Sequence, residues 1–92
     1  MDVQMAGFIN ADGSIARGNR EKFAVRKEGT GEYHIQFNRA LPSVPIVVAT
    51  SDGGQRGSDA RIVSTDRNGF VVEGRTYSDH GLSDIGFGFM VV

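Results

Sequence analysis

The chain has no cysteine, no tryptophan and only two prolines among its 92 residues. Without cysteine there is no disulfide framework and no thiolate metal site. Long apolar runs are missing too, and none approaches the ~20 residues that a membrane helix needs. Charge of one sign is also lacking. The net charge is −1 and the pI about 6.0, so no electrostatic capture of nucleic acid or of an anionic membrane is expected. Met1 is followed by Asp2, without the charged n-region of a secretory signal. The expectation is a protein that reaches its destination without that signal, or a piece of a longer one.

What is present is glycine, 13 residues of it, and a period-two pattern of apolar residues. Helical periodicity is scarce. Apolar runs near 3–9, 15–17, 22–26, 32–37, 46–50, 61–65, 70–77 and 85–92 are separated by turn signals. Asp12-Gly13 suits a type I′ hairpin turn, and Asn68-Gly69 marks another hairpin. The reading is one all-β domain over residues 1–92: a small antiparallel β-sandwich or barrel of about 6–8 hairpin-connected strands. Its core is expected to hold Phe8, Tyr33, Ile35, Phe37, Val47, Ile62, Phe70, Val72, Phe87 and Phe89. The β-branched run 46–50 is expected to be central, covered on both faces.

The last eight residues, Ile85-Gly86-Phe87-Gly88-Phe89-Met90-Val91-Val92, carry the strongest pattern. Ile85, Phe87, Phe89 and Val91 share one face of a strand, and Gly86 and Gly88 share the other. Glycine weakens a strand, so two of them on one face suggest that something lies close against it. A strand this apolar must also be paired inside a sheet. Self-association would add the burial that a chain of this size lacks.

Chemistry is thinner. Asp79-His80 with Asp84 is the best single cluster, a histidine between carboxylates in a loop. Asp52 and Arg56 fall in the glycine-rich 51–59 loop, which lacks both the acidic spacing of a calcium loop and the Gly-Lys-Ser/Thr ending of a phosphate loop. Arg75 and Tyr77 lie on a strand leading into the 78–84 loop. Forked donors, an aromatic face and carboxylate acceptors suit a sugar, and they suit a subunit contact equally. His34 stands mid-strand between Glu32 and Gln36, a position more common for plain surface histidines. No nucleophile motif is present, so no enzyme, cofactor or metal is expected.

Four stretches carry a resemblance: Gly31-Glu32-Tyr33-His34-Ile35-Gln36-Phe37, Pro45-Ile46-Val47-Val48-Ala49-Thr50, Asn68-Gly69-Phe70-Val71-Val72 and Phe87-Gly88-Phe89-Met90-Val91. Their order, from Gly31 to Val92, resembles the small β domains of phage tail fibres and bacterial surface proteins, and is similar to H-type lectins. The chain differs from those lectins in its leading hairpin and in having no tryptophan. The resemblance implies a sandwich that forms trimers or hexamers and binds sugars of the N-acetylgalactosamine type between subunits.

The function expected is therefore a non-enzymatic module that recognises a glycan or another cell-surface ligand. It would act as a homo-oligomer, a trimer or a multiple of three, in an extracellular or virion-surface setting. Its ligand residues would be Arg75, Tyr77, Asp79, His80, Asp84, Asp52 and Arg56. The rival is an assembly domain of a fibre or surface protein with no ligand of its own.

Overall fold

A computed structural model describes residues 2–51, 58–76 and 81–92. Eight strands form two four-stranded antiparallel sheets. They are β1 (Met5–Ile9), β2 (Ile15–Gly18), β3 (Phe23–Gly29), β4 (Glu32–Phe37), β5 (Val47–Ser51), β6 (Ser58–Asp66), β7 (Gly69–Thr76) and β8 (Phe87–Val91). The first sheet has the order β2-β1-β8-β5 and the second β3-β4-β7-β6. Among the described residues the one helical segment is a 3-10 turn, Arg20–Lys22. This is the all-β sandwich that the alternation and turn density imply.

Three hairpins, β1–β2, β3–β4 and β6–β7, each stay within one sheet. The last closes tightly on Asp66↔Gly69, with Asp66 Oδ1 accepting from Asn68 N at 2.7 Å and Gly69 N at 3.0 Å. The first turn is not the two-residue type I′ turn expected. β1 and β2 pair at Ile9↔Ile15, leaving a five-residue loop. Asp12 Oδ1 there accepts from Ser14 N at 2.9 Å and Ser14 Oγ at 2.6 Å. The aspartate side chain builds its own turn two residues on, and Gly13 takes a φ of +92°.

The core lies between the sheets and is aromatic. Phe89 meets Phe23 and Phe70 edge-on, each at 5.1 Å between centroids, and Tyr33 meets Phe87 at 5.2 Å. Such edge-to-face pairs add to area burial. Ile35, Phe37 and Val72 are buried as expected, while Val47 and Ile62 pack against the core partly buried. Met5, Ile9, Phe23, Ile85 and Val91 join the buried set.

Two expectations are corrected. Phe8 is not in the core: it projects from the outer face of the first sheet, beneath the Arg17 guanidinium. β5 is not central: it is an edge strand with an open outer face, and Val48 on it is 51% exposed. The central place goes to β8, paired with β1 on one side and β5 on the other. The 51–59 loop is also shorter than expected, because Ser51 belongs to β5 and Ser58 and Asp59 belong to β6.

Candidate functional site

Antiparallel register places residues that are far apart in sequence side by side. On the outer face of the second sheet, Arg26, His34, Val71 and Ser64 form one cross-strand row. Ala24, Gln36, Gly69 and Asp66 form the next. Long polar side chains thus stand at the β3–β4 side, shorter polar ones on β6, and the small Gly69 and Val71 between them. The result is an open groove of about 470 Å³. Gly69 must be glycine for a reason inside the chain, since a Cβ there would run into the Ile35 carbonyl of β4.

The same face continues toward the far end of the sheet. Glu32 is opposite Glu73, and Arg61 is opposite Glu73 on its other side. Two carboxylates directly opposed would repel. Each is compensated: His34 Nε2 is 2.9 Å from Glu32 Oε2, and Arg75 Nη2 is 3.1 Å from Glu73 Oε1. Arg26 pairs with Glu28. Beyond this row Arg75 is opposite Asp59, at the end where β6 begins and β7 stops.

Of the residues singled out for ligand contact, Tyr77, Asp79, His80, Asp52 and Arg56 lie outside the described residues. Arg75 is on the polar outer face, held by Glu73 at 3.1 and 3.3 Å. Asp84 is elsewhere, at the corner where the β3–β4 turn meets the approach to β8. Its Oδ1 accepts from Gly31 N at 2.8 Å and lies 3.1 Å from Lys27 Nζ. Those contacts, the Gly31 hydrogen bond first, hold its carboxyl below the usual carboxylate range. Backbones cross closely here: Ser83 N donates to Gly74 O at 2.8 Å and Gly74 N to Gly31 O at 2.7 Å. A Cβ on Gly74 would sit 2.5 Å from Ser83 O. Arg75 pairs across the backbone with Leu82, while Asp84 contacts Gly31 and Lys27.

Tyr33 binds the layers at this corner. Its hydroxyl donates to Ala11 O at 2.6 Å and accepts from Ile85 N at 3.3 Å. Burial, and then the charge of Asp84, pushes the phenol up from its ordinary value.

The groove residues Arg26, Gln36 and Ser64 escaped sequence reading. Only the strand register, which pairs positions some 30 residues apart, assembles them. His34 alone carried a signal, as the histidine of a polar strand face. Chemically the groove offers donors from Arg26, His34 and Gln36, acceptors from Asp66, and a hydroxyl on Ser64. His34 and Ser64 are two strands apart, roughly 10 Å by strand spacing, too far for a nucleophile–base hydrogen bond. Among the described residues no three His, Asp or Glu side chains come together as a metal site, and no helix is long and apolar enough to cross a membrane. No family model, curated protein or solved structure matches the chain.

Proposed function

We propose that the chain is a non-enzymatic binding module that recognises a glycan or another cell-surface ligand as a homo-oligomer. The setting, a tail fibre or surface protein, extracellular or on a virion, rests on the sequence resemblance of residues 31–92 to H-type lectins and tail-fibre domains. One observation carries the reading: the polar groove on the second sheet, in which donors and acceptors surround a floor of Ala24, Gly69 and Val71. Sugar hydroxyls need donor and acceptor together, and the small floor leaves room for a ring to lie flat. The same face continues to Arg75, near the end where β6 begins and β7 stops. A shallow site of this kind binds weakly alone. Linked copies raise avidity by ~10²–10⁴, which is the physical case for a homo-oligomer.

A glycan array tests the proposal. The parent should bind, and His34→Ala and Gln36→Ala should lose the signal with the melting temperature unchanged. If Tyr77→Ala and Asp79→Ala abolish binding while the groove variants do not, the site belongs to the 77–80 segment instead. A parent that binds nothing on a broad array sinks the recognition reading. The rival, an assembly domain without a ligand, is favoured by a separate observation: the apolar outer face of the first sheet.

A further inference from the structure

Among the described residues, none forms a second layer over the outer face of the first sheet. Its strands present two cross-strand rows. One is Val48, Met90 and Ala6. The other is Thr50, Gly88, Phe8 and Arg17. Val48 and Met90 stand out, 51% and 44% exposed. Arg17, the single charge in these rows, sits at the β2 rim with its guanidinium 4.6 Å above the Phe8 ring. Within the face an open hollow of about 520 Å³ is lined by Gly88, Ala6, Phe8 and Met90 among others.

Among the described residues nothing requires the glycine at 88. A Cβ there would lie 3.6 Å from Phe8 Cδ2 and 3.8 Å from Gly7 O, both ordinary contacts. Gly88 is also not among the glycines with left-handed backbone. Gly69 and Gly74 differ, since a Cβ at either would strike the chain itself. A strand interior pays for glycine in stability, so a hollow without an internal cause points to an external occupant.

We propose that this face is the contact between two copies of the chain, related by a two-fold axis that lies in the interface at right angles to the strands. That operation lays each row on the other row of the partner. Met90 enters the hollow over Gly88, Phe8 covers Ala6, and Val48 meets Thr50, each contact occurring twice as a two-fold demands. Large residues meet small ones in every crossed pair along β1 and β8. Arg17, whose guanidinium lies against the Phe8 ring and lines the hollow, is the one charge that the contact brings to its edge. The dimensions suffice for a pair of copies. By strand spacing and rise the face measures roughly 19 by 17 Å. With its side-chain relief and the flanking Ile46 and Val44, both 59% exposed, two copies bury on the order of 1,000 Å², the lower bound of a specific contact. The inference rests on the homo-oligomer part of the function proposed above and not on glycan binding.

Sedimentation of the parent, Met90→Asp, Gly88→Val and Val63→Asp tests it, with circular dichroism on each. The parent is expected as a dimer or a hexamer, both of which contain two-fold contacts. Met90→Asp and Gly88→Val should weaken association by on the order of tenfold or more, as for central anchors. Val63→Asp, on the second sheet, should leave it intact. Gly88→Val adds a strand-favouring side chain, so it keeps the test decisive where Met90→Asp fails to fold. A monomeric parent overturns both this inference and the homo-oligomer reading. A trimeric parent, or an associated parent that Gly88→Val leaves unchanged, overturns this inference alone.

Discussion

The two outer faces of this sandwich are built on the same backbone plan and differ in almost every other respect. Each is a four-stranded antiparallel sheet with its inner side in one aromatic core. The second sheet turns polar pairs outward: His34 hydrogen-bonded to Glu32, and the ion pairs Arg75 with Glu73 and Arg26 with Glu28. The first turns out Phe8, Met90, Val48 and a bare Gly88, with Arg17 as the one charge of its two rows. A solvated sheet face ordinarily looks like the second. The first looks like a face awaiting a partner. Under the two proposals above, opposite sides of one core would serve adhesion to a second copy and recognition of something else.

That division can be broken in several places. The largest effect belongs to the shared interior. Phe89→Ala removes the ring that touches both Phe23 and Phe70, and should cost about 3–5 kcal/mol in urea denaturation. Phe8→Ala should cost far less in a non-associating background. Equal losses would erase the distinction between inside and outside on β1 and β8.

Next is the tie between layers. Tyr33→Phe removes the donor to Ala11 O and the acceptor of Ile85 N, and should cost about 1–2 kcal/mol by leaving the buried Ile85 N–H unsatisfied. Because the Tyr33 phenol is raised in the fold, its neutral form is favoured. The parent should lose stability as pH rises above the ordinary tyrosine range, and Tyr33→Phe should lose less there. Alkaline melting curves of the two proteins check this.

A smaller effect is expected at the corner carboxylate. Asp84→Asn weakens the ties to Gly31 and Lys27, and should cost no more than about 1 kcal/mol because the site is solvent-screened. The Asp84 carboxyl is depressed in the fold. Its contribution is therefore present above the ordinary aspartate value and disappears as pH falls through the folded value. Parent and variant should differ at pH 7 and converge in acid. A gap that persists at pH 2 would mean the charge is not what matters.

The smallest change in stability, under about 0.5 kcal/mol, is expected from His34→Ala on the polar face. That variant should alter ligand binding and leave oligomer size untouched, while Gly88→Val should do the reverse. A single substitution that moved both readouts equally would show that the two faces are one site.

Period-two alternation made the strands legible, and Asn68-Gly69 marked the β6–β7 hairpin correctly. Those are local properties: neighbouring residues on an extended chain point opposite ways whatever surrounds them. The candidate site was less legible. Arg75 was singled out on an outer strand face, but the neighbours that give a groove its chemistry come from β3, β4 and β6. Their adjacency is set by register, which no single stretch of sequence displays.

Alternation says which residues share a face and leaves open which face turns inward. In β1, Met5, Gly7 and Ile9 lie on one side and Ala6 and Phe8 on the other. By size alone Phe8 belongs inside. The fold puts Gly7 there, because a Cβ at Gly7 would come within 2.8 Å of Phe23 Cζ and 3.1 Å of Phe89 Cε1. Only the stacked sheets create that crowding. The space claimed by two rings from other strands decides that the glycine goes in and the phenylalanine goes out.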